Sequence, residues 1–267
     1  MLSTLLSSLL LAQAAAAGAG PERASLEQVR LDLCLDQARA EPAAAIAEAG
    51  TWLSEASGPE TSYPQQCLGY AYTMLLRWQA AEQAFLAARE AELATSHFRR
   101  AQLAAMAGNA ALADGRADAA LIALALASTD AAASGDAGLR AIVETDRGRA
   151  LVLQGREGEA ELVLAEARGF DAQNALTWLL SGTLARRLGK LAEAQGFIET
   201  AAALSPNYPE IGLEAGVIAM LQGREDAAKA SWESVVAVEP DGETAATARG
   251  YLAQLAEPAA AGEPAAE

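Results

Sequence analysis

Aromatic side chains make up 5% of the 267 residues, and there is a single histidine, His97. A chain so poor in rings does not fill one deep globular core; thin layers of alanine-rich helices suit it better. The lone histidine sits in the connecting segment "ATSHFRR" with no second imidazole nearby. Two cysteines without a further pair do not make a zinc site. The β-branched and aromatic clusters expected of strands are sparse. Beyond the N-terminus, no segment runs apolar for about 18 residues without a charge, so no membrane-spanning helix is expected in the mature chain. Basic residues are also short: 19 Lys and Arg face 35 Asp and Glu, a formal net charge of −16. Such a surface repels phosphate backbones and argues against nucleic acid as a partner. It either simply keeps the protein in solution or attracts basic partners. No nucleophile elbow or metal-ligand spacing is present, and "GNAALADGRAD" lacks the Gly-Lys-Ser/Thr ending of a phosphate loop. No enzyme, catalytic residue, metal or cofactor is predicted.

Hydrophobic residues reach 52%, a figure inflated by alanine. Alanine has the best helix propensity, and "AALIALALA" and "EAELVLAEAR" favour helix. The fold class read from this is all-α. The N-terminal "MLSTLLSSLLLAQAAAAGAG" has a short apolar run followed by small residues and no charged side chain. It has the form of a cleavable secretory signal over residues 1–19, with candidate cuts near Ala14, Ala17 or Ala19. An uncleaved anchor or an ordinary helix end is the alternative. The charged "PERASLEQVR" before Cys34 makes that cysteine a poor lipidation site.

The stretch "CLGYAYTMLLRWQAAEQAFLAARE", residues 67–90, has its apolar pattern broken at Arg77 and Trp78. Gly69 is followed by Ala81 twelve residues on and Phe85 sixteen on. Gly108, Gly148, Gly182 and Gly216 are followed at the same offsets by Ala120 and Leu124, Ala160 and Leu164, Ala194 and Ile198, Ala228 and Trp232. A second glycine stands seven on in four of the five units, at Gly115, Gly155, Gly189 and Gly223; the first unit has Leu76 there. From Gly148 to Gly182 to Gly216 the step is 34 residues each time. Five extra residues precede Gly108 and six precede Gly148. A fixed step of this size marks an array of helical hairpins. The small residue lets two antiparallel helices approach, the large one fills the space between them, and the second glycine is a left-handed cap that ends the first helix. "SPNYP" and "EPDG" stop the second helix.

The pattern resembles the tetratricopeptide repeat family, of an exported bacterial type. The resemblance implies a right-handed superhelix of antiparallel helix pairs. Residues 62–242 would hold five repeats, after a degenerate hairpin in 20–61. A capping helix would follow over 243–256 and a disordered tail over 257–267. Cys34 and Cys67, 33 residues apart, would occupy near-equivalent places on adjacent first helices. In an exported protein such a pair suggests a disulfide, worth roughly 3–4 kcal/mol in the chain-entropy model; two buried thiols are the alternative.

The resemblance also implies a concave groove lined by first helices, with ligand-facing side chains three before and one, four and five after the anchoring glycine. Carried over, this gives Gln66, Tyr70, Thr73 and Met74 in the first unit, Asn109 and Leu112 in the next, and Thr145, Arg149 and Val152 in the third. Thr183, Arg186 and Arg187 follow, then Val217, Met220 and Leu221. Asn109 and the three arginines would form a polar strip for an acidic or carboxylate-ended protein or peptide segment. The alternative is that these arginines pair with acids of neighbouring helices. The function expected is a non-enzymatic scaffold or adaptor in the bacterial periplasm. An accessory subunit of an envelope assembly or secretion complex, or a cytoplasmic scaffold, is the competing reading.

Overall fold

The structure is a computed structural model and describes residues 25–256. The secretory signal read at 1–19 and the tail read at 257–267 lie outside the described residues. Thirteen α-helices and one short 3-10 turn (Gly58–Thr61) account for the regular structure, and there is no strand among the described residues. The helices pair in chain order. They are α1 (Leu26–Ala40) with α2 (Pro42–Glu55), α3 (Ser62–Met74) with α4 (Trp78–Ala91), and α5 (His97–Ala113) with α6 (Ala117–Ser134). Then come α7 (Ala137–Leu153) with α8 (Glu157–Phe170), α9 (Ala175–Arg187) with α10 (Leu191–Leu204), and α11 (Pro209–Leu221) with α12 (Glu225–Val238). The last, α13 (Glu243–Ala256), stands alone. First helices also pack on one another: α1 beside α3, α5 beside α7, α7 beside α9, α9 beside α11 and α11 beside α13. This is the all-α solenoid of antiparallel helix pairs expected from the sequence.

The five anchoring glycines show why the hairpins close. A Cβ on Gly69 would lie 2.6 Å from the Phe85 ring, on Gly108 2.5 Å from Leu124, on Gly148 2.7 Å from Leu164 and on Gly182 2.7 Å from Ile198. On Gly216 it would fall into the Trp232 indole. Each large side chain lies against the bare backbone of the partner helix. The alanines twelve residues after the glycines (Ala81, Ala120, Ala160, Ala194, Ala228) are fully buried. Cores this shallow obtain close packing from short side chains and short helix separations, not from bulk.

The turns of the five repeat hairpins, α3–α4 to α11–α12, are built the same way. Gly115, Gly155, Gly189 and Gly223 have φ between 70° and 75°. The residue after each donates its backbone N–H five residues back, as Arg116 to Ala111, Arg156 to Leu151, Lys190 to Ala185 and Arg224 to Ala219, all at 2.9 Å. That is a Schellman cap. Leu76 adopts the same left-handed conformation, at φ 55°, with the same bond from Arg77 to Tyr72. It is the one non-glycine residue with positive φ among the described residues.

The extra residues before Gly108 and Gly148 become extra helical turns. α5 and α7 run to 17 residues and α6 to 18, against 13 or 14 for the corresponding helices of the other repeats. The lengthened end of α6 carries one of the buried polar groups, Asp130. Arg89 of α4 and Asp130 of α6 pair at 2.6 Å with both side chains 8% exposed. Glu144 of α7 accepts from Ser128 of α6 at 2.5 Å. His97 is not in a connector as the sequence suggested. It opens α5, 3.6 Å from Asp130, because the added turn takes that segment into the helix.

α6 alone among the described helices has the length and apolar composition to cross a membrane. Its Ala120, Ala123, Leu124 and Ala127 are buried in the stack, and Asp130 is paired inside it. Those contacts place α6 within the solenoid.

Candidate ligand groove

Helix α7 follows one N-cap, Asp136, whose carboxylate accepts from the Leu139 N–H at 2.6 Å, and α9 another, Asn174, bonded to Leu176 and Thr177. Between these two first helices lies a cavity of about 520 Å³. Leu112, Val152, Leu180 and Leu184 give it an apolar lining, and Arg149, Thr183 and Arg187 supply its polar groups. Five of the residues carried over from the sequence, Leu112, Arg149, Val152, Thr183 and Arg187, therefore meet in one place. A second cavity, of about 340 Å³, repeats the register at α11 and α13. Val217, Met220 and Leu221 face Tyr251, Gln254 and Leu255 there. Gly250 stands 34 residues after Gly216, so α13 occupies the place of a further first helix.

The remaining site residues go elsewhere. Tyr70 lies towards the N-terminal end, where its hydroxyl accepts from Arg39 Nε at 3.1 Å. Asn109 donates to Asp146 at 2.7 Å, and Arg149 reaches both Asp146 (3.0 Å) and the Asn109 side-chain oxygen (3.3 Å). Arg186 binds both carboxylate oxygens of Glu214 on α11, at 2.5 and 3.4 Å, in a half-buried fork. Arg187 faces Glu157 of α8 at 3.4 Å. Every arginine of the expected strip thus has an acidic partner within the chain, the competing arrangement recognised from the sequence. Arg149 and Arg187 nevertheless each keep 45% of the side chain exposed, whereas Arg186 keeps 24%. Thr145 does not face the groove. It is buried, its hydroxyl bonded to the Ala141 carbonyl and to Thr177, both at 2.7 Å, because α7 and α9 close over it.

Sequence reasoning missed the acids. Asp146 and Glu214 both stand two residues before an anchoring glycine and reach the preceding unit's first helix. That shared offset is the signal that could have found them. Burial pushes the Asp146 carboxyl above its ordinary value; the Asn109 hydrogen bond and the Arg149 charge pull the other way without cancelling it.

The two cysteines are joined. Cys34 of α1 and Cys67 of α3 form a disulfide with Cα atoms 6.1 Å apart. The bond fastens the first hairpin to the second across a core of Leu31, Ala38, Ala45, Trp52 and Ala71.

No protein-family model and no curated protein matches the chain. Solved structures do match its fold. The type IV pilus biogenesis factor PilW aligns with TM-score 0.66 and 16% identity, over 84% of this chain and 98% of that one. PilF of Pseudomonas aeruginosa aligns at 0.64 and 14%, over 85% and 97%. A thermophilic TPR protein of Thermus thermophilus aligns at 0.55 and 19%, over 72% and 99%. Identities this low speak to architecture alone. With the glycine register, the left-handed turns and the stacked first helices, they establish that the chain has the tetratricopeptide repeat fold.

Proposed function

We propose that the protein is a non-enzymatic scaffold that holds a peptide or protein segment along its first helices, in a bacterial envelope compartment. The observation that carries this is the cavity between α7 and α9, where an apolar floor meets two half-exposed guanidinium groups. An apolar side chain would fill the floor while a carboxylate forks onto Arg149 or Arg187, displacing their own acids. Arg186 is left out of this ligand set because Glu214 already holds it in a fork. The envelope setting is supported by the Cys34–Cys67 disulfide, since such bonds persist in oxidising compartments. It is supported too by the signal-like N-terminus and by the likeness to PilW, a pilus biogenesis factor.

The test is a library of short peptides with an apolar last residue, each as free acid and as amide. Free acids should bind more tightly, and Arg149→Glu with Arg187→Glu should weaken them at least tenfold. Equal affinity for acid and amide, or an unaffected double variant, would remove the reading. N-terminal sequencing of the protein recovered by osmotic shock tests the location: a start near residue 18–20 supports export, and an intact Met1 in the cytosolic fraction refutes it.

A further inference from the structure

The second helices form the outer layer of the solenoid, and in three of the five repeats the outermost register carries no large apolar side chain. The position fourteen residues after the anchoring glycine is Gln83 in α4, Gly196 in α10 and Ala230 in α12. In α6 and α8 it is Ile122 and Leu162, exposed at 69% and 68%. These two helices are consecutive second helices, and Leu121 of α6 packs on the core cluster that also holds Ala160 and Leu164 of α8. Along α6, residues 119–129 carry no charge, and only 33% of the helix is buried. Ala125, Leu126 and Thr129 continue its open face, and Gly158, Ala165 and Gly169 do so on α8. A helix apolar all round is normally covered on every side. Here one side is bare, in a protein whose formal net charge is −16.

The rim of this face is acidic. Asp118, Glu159 and Glu166 are exposed around it, Glu159 in a fork with Arg156. Beside Leu162, between α8 and α10, a cavity of about 280 Å³ is lined by Glu161 and Glu193 together with Arg168, Ser181 and Phe197. Arg168 is taken up by stacking on the Phe197 ring at 4.5 Å and by its bond to Ser181. Glu161 meets Lys190, and Glu193 lies near enough to the same ammonium for its charge to favour the protonated form.

We propose that the outer face of α6 and α8 docks an amphipathic helix of a partner protein whose apolar stripe is flanked by lysine or arginine. The stripe would cover Ile122, Leu126 and Leu162, and a basic side chain would enter the cavity at Glu193. Complementary charge selects this occupant over the alternatives. A second copy would bring its own acidic rim against this one, and an anionic bilayer would be repelled.

The experiment uses a fluorescent 18-residue helical peptide with leucines on one face and lysines beside them, and a twin with glutamates in place of the lysines. The lysine peptide should bind the full-length protein with salt-sensitive affinity, and the glutamate twin should not. Ile122→Asn with Leu162→Asn should weaken binding at least tenfold, and Glu193→Gln several-fold, while Arg149→Glu in the groove changes nothing. Circular dichroism confirms that the variants are folded, since both apolar positions are exposed. Equal binding of the two peptides, no binding of either, or an unaffected Ile122/Leu162 variant overturns the assignment. So does a dimer in sedimentation, or flotation with phosphatidylcholine vesicles, that the same variant abolishes; those results would give the face to a second copy or to a membrane.

Discussion

Gly148 and Leu164 meet at a distance that leaves no room for a methyl group: a Cβ on the glycine would lie 2.7 Å from one Leu164 carbon and 2.8 Å from another. The leucine is buried and held by Ala160, Leu151 and Leu184, so it has nowhere to retreat. Gly250 stands three periods after Gly148 in the same register, yet nothing lies within 4 Å of its Cβ position, since no second helix covers α13 among the described residues. One residue type in one register therefore has opposite consequences at the two sites.

Gly148→Ala is expected to destabilise the protein by about 1–3 kcal/mol through overpacking, despite the better helix propensity of alanine. Gly250→Ala is expected to stabilise α13 by about 0.5–1 kcal/mol. Urea unfolding followed by circular dichroism reads both. Equal signs would show that propensity, not the helix contact, decides the glycine's place.

Leu76 is an exposed leucine in a left-handed turn that the other four repeats give to glycine. Left-handed backbone costs an L-residue roughly 1–2 kcal/mol, part of which glycine returns through its freer unfolded chain. Leu76→Gly should therefore raise stability by about 0.5–1 kcal/mol, and Gly155→Leu should lower it. Thermal unfolding of the pair provides the check; a destabilised Leu76→Gly would mean that the side chain contributes packing its exposure does not reveal.

Removing the disulfide, by Cys34→Ser with Cys67→Ser or by reduction, is expected to cost roughly 3–4 kcal/mol locally. In a stacked array each unit leans only on its neighbours, so the loss should fall on α1 and α2 and leave α7 to α12 untouched. Hydrogen exchange by mass spectrometry resolves the two regions. Uniform deprotection along the chain would contradict a one-dimensional array.

Asp146 links groove and pH. Its folded carboxyl titrates above the unfolded one because burial disfavours the charge. The folded state then binds the proton more readily, so this residue's contribution to stability falls as pH rises from the ordinary carboxylate range through the raised value. Above the raised value the penalty is fully present, and in acid below the unfolded value it vanishes. Asp146→Asn, which keeps an acceptor for Asn109, should be the more stable form at pH 7, with the difference closing in acid. Parallel stability curves for the two proteins would show that the Arg149 contact outweighs burial.

Much of this was written locally. The step of 34 residues, the glycine–large pairs and the turn glycines each depend on contacts inside one hairpin, where spacing along the chain fixes geometry; the register that placed Leu76 in a turn needed no coordinates. Cys34 and Cys67 were legible through the resemblance to the repeat family, which implies that positions about one period apart lie side by side on stacked first helices. The added turns of α5, α6 and α7 were visible only as surplus residues, because a count does not say whether insertions become loop or helix. The fates of the arginines came from the tertiary structure alone. Arg186 found Glu214 and Arg187 found Glu157 across neighbouring helices, while Arg149 shares Asp146 with Asn109. A long flexible cation chooses its partner by distances between helices, and those depend on how the whole stack settles.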